Sequence, residues 1–390
     1  MAGGGVRDLL CHIAPHDIDF ATPATPDQMT KILQDFNNVR LITTLSGIRH
    51  GTVTARLNNS SQYEITTLRI DKETDGRHAE VEFVSDWKID ASRRDLTINS
   101  MFIDLNGVLY DYFGGKEDLD NKRICFVGDA DKRIREDYLR IFRYFRFHAR
   151  FGIPGVHDQE TIQKMKNNLS GLGMISGERI WTELKRILSN KSCANVIEVL
   201  FQEMKTSLFL GFQRDHLNLE RFYTTLKNVE KISKYNLRYP WSPHILFSAL
   251  INDIDELALI TTRLKFSNVE RDSLAYIISN RDHSSLVSEK RMKQQLALTP
   301  KPDQAHLRNY ILQYLYSIGS DFDLISSIEN WTIPEFPFKG DMIANRVRRK
   351  QQIAQLINEL KSAWAEKDFD MSENEMQTKV DEILERITKS

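Results

Sequence analysis

Hydrophobic and polar positions divide this chain into two regimes. Up to about residue 128 the pattern changes every few residues, as in a mixed α/β fold. Asp17-Ile18-Asp19-Phe20, GTVTARL (51–57) and QYEITTLRI (62–70) alternate or are rich in β-formers, which predicts strands. Asn106-Gly107, between MFIDL and VLYDYF, predicts a type I′ hairpin turn. A helix is predicted at about 26–37, where Thr25 and Gln28 have capping-box spacing and Pro26 suits the first helical position. Met29, Ile32, Leu33 and Phe36 form the stripe that this helix should bury. From about 130 the period becomes helical. Tyr138, Phe142 and Phe145 follow i, i+4, i+7, and Ile180, Trp181, Leu184, Ile187 and Leu188 repeat the theme behind a Ser176 cap. No strand pattern follows.

At 390 residues the chain should hold two to four packing units. Seams are expected near 130, 210 and 335, the last at WTIPEFPFKG, with no long linker between units. With 41% hydrophobic and 27% charged residues the composition is that of a globular chain. The longest apolar runs, such as HILFSALI at 244–251, are far too short to cross a bilayer, so no membrane association is expected. No long apolar N-terminal segment marks a secretory signal. Cys11, Cys125 and Cys193 are three in number and lack CxxC spacing, which argues against a disulfide framework or a zinc site and for a reducing compartment. The net charge of −1 gives no sign of a nucleic-acid partner, but its distribution does. Residues 132–150 hold seven Lys/Arg against two acids, and RVRRK (346–350) is a second basic run. Such stripes suit a phosphate-bearing partner, although a solvated helix face has the same composition.

Three constellations carry chemistry. In a strand, Asp17 and Asp19 share a face, and two carboxylates so close require a cation, for which Mg²⁺ is the natural choice. Upstream, Gly3-Gly4-Gly5-Val6-Arg7-Asp8 offers backbone N–H groups for close approach to a phosphate and an arginine to grip one. Downstream, Glu64 faces opposite to Tyr63 and Ile65 and can supply the third carboxylate of a two-metal site. The second constellation is Arg93-Arg94-Asp95-Leu96-Thr97-Ile98-Asn99. There Asp95 and Asn99 suit ribose hydroxyls and Arg94 a phosphate, the bland alternative being a capped, solvated helix start. The third is Glu136-Asp137-Tyr138-Leu139-Arg140, continuing to Arg143 and Arg146. As i, i+3 helix neighbours, Asp137 and Arg140 would normally make a modest salt bridge. Their chemistry also suits a base edge, with the carboxylate accepting from an exocyclic amino group and the guanidinium donating to ring acceptors, which favours C and A. Arg143 and Arg146 drift round the helix, so a phosphate or structural role is expected for Arg146.

GGxVRD, DxD, xEITTLR, DGRHAxVEF, RRDxTxN, DYFxGxxDL, EDxxRxxRxxRF and SGERIW occur here in order. Together they resemble the class II tRNA nucleotidyltransferases, the CCA-adding enzymes, in their eukaryotic form, with the dense match running from residue 2 to about 190. The resemblance implies an α+β fold: a polymerase β-like nucleotidyltransferase head with a mixed sheet (1–128), then a helical neck (129–210), body (211–335) and tRNA-binding tail (336–390). It also implies that Asp17 and Asp19 bind catalytic Mg²⁺ and that Glu64 supports them. Gly3, Gly4 and Arg7 would contact the triphosphate, and Arg94, Asp95 and Asn99 the phosphate and ribose. Asp137 and Arg140 would template CTP and then ATP, supported by Arg143 and Arg146. Asp75–Trp87 would be the flexible loop behind the switch from C to A, and Asp111–Leu119 the hinge between head and neck.

The implied partners are tRNA, CTP and ATP, for a protein that is a monomer or homodimer. Its implied compartment is the cytoplasm, mitochondrion and/or nucleus, with no targeting segment in the sequence. Two departures from the family pattern stand out. The helix and strand that usually precede the glycine motif are missing ahead of Met1-Ala2-Gly3, and the tail after GDMIA lacks the expected glycine spacing. The rival readings are a poly(A) polymerase, a CC- or A-adding specialist, and a catalytically impaired RNA-binding form. His16-Asp17 and His157-Asp158 suggest an HD phosphohydrolase only weakly, because no metal-spaced histidines accompany them.

Overall fold

A computed structural model describes residues 1–42, 44–74, 79–282, 287–338 and 350–389. The first four residues (75–78) of the predicted flexible loop Asp75–Trp87 and most of RVRRK therefore lie outside the described residues. The chain divides into two compact units, one of Met1–Leu217 with Thr262–Lys265 and the other of Asn218–Thr261 with Phe266–Ser390.

The first unit opens with α1 (Gly4–Leu10), β1 (Asp19–Thr22), α2 (Pro26–Gln34), β2 (Val39–Leu41), α3 (Leu45–Arg49), β3 (Thr52–Leu57) and β4 (Ser61–Thr67). The four strands form a mixed sheet in the order β1-β4-β3-β2, with β1 parallel to β4 and the other pairs antiparallel. Parallel pairing sets Asp19 opposite Glu64, so both side chains rise from the same face. β5 (Arg69–Thr74) and β6 (Ala79–Phe83) make an antiparallel pair. After α4 (Trp87–Ser92), β7 (Phe102–Ile103) and β8 (Leu109–Tyr110) make another. Met1–Gly3 tie the sheets together. The Ala2 N–H donates to the Asp19 carbonyl at 2.9 Å, and the Gly3 N–H to that of Met101 at 2.9 Å. Backbone therefore pairs beside Asp19. Leu68, Ala91, Phe102 and Ala2 form a small core beneath Trp87, whose ring meets Phe102 edge-on at 5.0 Å.

Three local expectations need correction. The Thr25 capping box forms and Pro26 starts the helix, yet Ile32 and Phe36 are 56% and 54% exposed, so α2 buries little beyond Met29. The 106–107 turn is not type I′, because Gly107 alone has positive φ (82°) and Asn106 does not. Instead the Gly107 N–H closes a turn on the Asp104 carbonyl, while the Asp104 carboxylate accepts from the N–H groups of Asn106 and Val108. Ser176 precedes its helix, but its hydroxyl makes no capping hydrogen bond.

The unit continues as α5 (Gly115–Asp120), α6 (Ala130–Glu136), α7 (Arg140–Phe151), α8 (Gln159–Asn167), α9 (Gly177–Leu188) and α10 (Cys193–Glu198). Ile141, Phe142 and Phe145 of α7 and Ile180, Leu184 and Ile187 of α9 are buried at the paired helices. The regular elements of the second unit among its described residues are helices: α11 (Glu220–Ile232), α12 (His244–Ser248), α13 (Ile254–Leu264, whose last turn belongs to the first unit), α14 (Asn268–Asn280), α15 (Glu289–Leu298), α16 (Gln304–Ile318), α17 (Phe322–Asn330), α18 (Lys350–Glu366) and α19 (Glu373–Lys389). α18 and α19 share a core of Leu356, Leu360, Val380 and Ile383.

One close contact positions the site. A Cβ on Gly115 would stand 2.2 Å from the Thr97 carbonyl oxygen, so only glycine lets α5 rest on the short turn that carries Asn99. Gly115→Ala is expected to destabilise the protein by about 2 kcal/mol or more, read from denaturant unfolding.

Candidate active site

The first unit contains a cleft of about 930 Å³. Of the residues predicted for the site, Gly3, Gly4, Arg7, Asp17, Asp19, Arg94, Asp95, Asn99, Asp137, Arg140, Arg143 and Arg146 all line it; Glu64 does not. The lining holds ten arginines and five aspartates, which makes it an anion site with acidic islands.

One island is at the start of β1. The strand begins at Asp19, so Asp17 sits in the bend before it and not on the strand predicted to carry both residues. The Asp17 side chain is 84% exposed and its Oδ1 lies 3.1 Å from His16 Nδ1. Surrounding protein strips water from Asp19, and the negative charges of Glu64 and Asp17 add to this, so its carboxyl stands above the usual carboxylate range despite the opposing Arg94. Glu64 thus acts on Asp19 through its charge, from the paired position on β4. Among the described residues, no three His, Cys, Asp or Glu side chains stand close enough to hold a metal ion by themselves. The crowding of charge at Asp19 is nonetheless the condition that a divalent cation relieves.

The second island is a ladder whose middle members, Arg7, Asp8, Asn99 and Asp95, are buried. Arg7 donates through Nε and Nη2 to Asp8 Oδ1 at 2.9 and 2.8 Å, and through Nη1 to Asn99 Oδ1 at 2.6 Å. Asn99 Nδ2 donates to Asp95 Oδ1 at 3.3 Å, and Arg143 Nε to Asp95 Oδ2 at 2.6 Å. Arg150 meets the far oxygen of Asp8 at 3.3 Å. Asp95 and Asn99, predicted to hold ribose, are therefore largely occupied by protein. Burial would raise the Asp95 carboxyl, but Arg143 and the Leu96 and Asn99 hydrogen bonds win and lower it to about 2. Arg94 bonds Asp90 Oδ2 through Nε and Nη2 and lies so close to Gly3 that a Cβ there would come within 2.7 Å of its Nη1. Gly3 has φ of 65°, in the left-handed region that favours glycine.

The base-reading pair differs from its sequence reading. α6 ends at Glu136, and Asp137 is extended (φ −155°), so Asp137 and Arg140 are not neighbours on one helix. Asp137 Oδ2 instead accepts from Arg179 of α9 at 2.7 Å, and its Oδ1 from the Leu139 N–H at 3.1 Å. Arg140 bonds Glu136 at 2.7 Å and the carbonyls of Arg133 and Arg93. Arg146 is anchored to buried Glu183 at 2.9 Å, and burial brings its pKa down to about 10, still charged at neutral pH. Asp8, Arg150, Arg179, Glu183 and Arg186 were missed by sequence reasoning. The SGERIW motif was the available signal for Arg179.

Ten arginines in one cleft suit a polyanionic ligand. Residues 1–125 match the family model described as Poly A polymerase head domain, and residues 158–204 that described as Probable RNA and SrmB- binding site of polymerase A. The mouse and human proteins named CCA tRNA nucleotidyltransferase 1, mitochondrial, are each 40% identical to the chain over 383 residues, covering 96% of it and 85% of the relative. The chain belongs to the family of CCA tRNA nucleotidyltransferases. Its fold is that of the Bacillus stearothermophilus CCA-adding enzyme solved in complex with CTP, with a TM-score of 0.70 at 22% identity over 100% of this chain and 93% of that one. The Thermotoga maritima CCA-adding enzyme complexed with tRNA gives 0.64 at 19% identity, over 99% and 90%. Among the described residues no helix is long and apolar enough to cross a membrane.

The Asp95 ion pair has a pH signature. Its carboxyl lies below its ordinary value, so the stability it contributes is present above about pH 4 and is lost as pH falls towards about 2, a loss of about 2 kcal/mol. Acid unfolding monitored by circular dichroism should be flatter in that window for Asp95→Asn. An unchanged acid limb would mean the pair contributes nothing.

Proposed function

We propose that this protein completes the 3′ end of tRNA by adding C, C and A from CTP and ATP with release of pyrophosphate. The observation that carries the reading is that Asp137 and Arg140 line the same cleft as Asp17 and Asp19. Base choice and phosphoryl transfer then belong to one site, with no nucleic-acid template needed.

Asp17 and Asp19 would hold Mg²⁺, with Glu64 supporting them. Two carboxylates completed by substrate oxygens suit that ion better than a closed protein cage. When bound, the metal would lower the charge barrier to attack of the tRNA 3′-hydroxyl on the α-phosphate and stabilise the leaving pyrophosphate. The protein's own share is positioning. Arg94, Arg143 and Arg146 line the cleft with charges already fixed by carboxylates, so little side-chain order is lost when a triphosphate enters. Arg7 keeps two of its five N–H groups beyond its bonds to Asp8 and Asn99. Gly3 and Gly4 allow backbone to approach the phosphates.

Asp137, held by Arg179 and the Leu139 N–H, keeps lone pairs for the exocyclic amino group of cytosine or adenine. Uracil and guanine would present a carbonyl to the same carboxylate and be repelled. Arg140, pinned through Nη1 and Nη2, keeps its Nε donor for a ring acceptor. We retain the division into head (1–128), neck (129–210), body (211–335) and tail (336–390), with the cleft drawn from the first two and the helical remainder gripping tRNA by shape and backbone. A mitochondrial site of action, as in the names of the mouse and human relatives, is checked by fractionating cells that express the tagged protein.

Incubated with tRNA ending before CCA, plus CTP and ATP, the protein should add C, C and A and then stop. Continued A addition would favour the poly(A) polymerase reading, which shares the head, and addition of C alone a CC-adding specialist. Asp17→Ala should abolish incorporation while tRNA binding in a gel shift stays within about threefold; retained activity would overturn the metal assignment. Asp137→Ala should lower incorporation of C and A about a hundredfold and narrow the gap to UTP, measured as single-turnover rates with each nucleotide.

A further inference from the structure

Phe147 has a place in this cleft that nothing in the chemistry above explains. It lies on α7 between Arg143 and Arg150 and is buried, with 6% exposure, yet its ring forms part of the cleft wall. The guanidinium carbon of Arg146 stands 4.2 Å from the ring centroid, that of Arg7 4.9 Å and that of Arg143 5.8 Å. Three cations meeting on one ring would repel one another if nothing offset them. Each has its own carboxylate: Asp8 for Arg7, Asp95 for Arg143 and Glu183 for Arg146. The carboxylates take guanidinium edges, and the negative face of the ring takes guanidinium planes. Phe151, whose ring is near-parallel to that of Phe147 with centroids 6.4 Å apart and 22° between the planes, also lies 4.7 Å from the Arg7 guanidinium carbon.

We propose that Phe147 is a positioning residue that orients three arginines of the phosphate-binding wall, setting affinity for the triphosphate common to CTP and ATP without taking part in base choice. The proposal rests on the nucleotidyltransferase reading of the cleft. Leucine at this position fills a similar volume without a π face, so the guanidinium planes lose their seat while the helix keeps an apolar side chain. Interactions made equally before and during reaction set KM and not kcat. Loss of the ring should therefore raise KM for both nucleotides together. A residue that reads bases would change their ratio.

The experiment measures single-nucleotide addition of C and of A, with thermal melts, for the wild type, Phe147→Leu, Phe147→Tyr and Phe142→Leu. Phe142 is fully buried on the same helix and serves as a packing control. Phe147→Leu should raise KM for CTP and ATP by about tenfold each, with kcat and the C-to-A ratio within about threefold of wild type. Phe147→Tyr, which keeps the ring, should restore KM, and Phe142→Leu should lower the Tm without moving KM. A KM unchanged in Phe147→Leu, or raised equally in Phe142→Leu, overturns the proposal. So does a shift confined to one nucleotide. Should Phe147→Leu not fold, Phe147→Met, which also fills the site without a ring, carries the same test, and an unchanged KM there is again fatal. A wild type that adds no nucleotide would refute the catalytic reading itself, a result distinct from all of these.

Discussion

The contact between Asp95 and Arg143 is the constraint on which the rest of the site depends. A buried carboxylate such as that of Asp95 is costly unless its oxygens are occupied, and a guanidinium partly withdrawn from water, as in Arg143, shares the cost. Here the cost is offset by continuation. Asp95 passes through Asn99 to Arg7, Arg7 to Asp8, and Asp8 to Arg150, so the ladder leaves α7 at residue 143 and returns to it two turns later. A closed ring of charge-assisted bonds tolerates little displacement of any member. It fixes the glycine loop, the 95–99 turn and α7 with respect to one another. Gly115 is then required, since a side chain there would intrude on the backbone of the 95–99 turn.

How much of this was legible in sequence follows from the range of each interaction. The Thr25 capping box spans three residues and was read correctly, because both partners lie on one turn. The strands carrying Asp19 and Glu64 were legible from alternation, and their parallel pairing delivered the juxtaposition that the chemistry needed. Helical spacing misled at Asp137 and Arg140, because the helix breaks between them and the true partner of Asp137 lies 42 residues away. Asp8, Glu183 and Arg150 were invisible for the same reason. Each is an ordinary charged residue until the fold supplies a partner. Periodicity also failed at Ile32 and Phe36, since it marks an apolar face but says nothing about whether another element covers it.

The choice of arginine over lysine gives the cleft its character, for no lysine lines it among the described residues. An ammonium in such surroundings would lose charge readily as its water was stripped away, whereas a guanidinium holds its proton. Arg146 shows the margin: burial brings it down to about 10, and it remains a cation at any physiological pH. A planar cation also has two kinds of surface, an edge that a carboxylate or phosphate can fork and a face that a ring can cover. Carboxylates and phenylalanines use some of both on Arg7, Arg143 and Arg146, leaving a fixed remainder of donors. The cleft therefore meets its ligand with positive charge that is abundant, oriented and unable to titrate away. That suits a site which must hold successive triphosphates in the same place while the bases attached to them change.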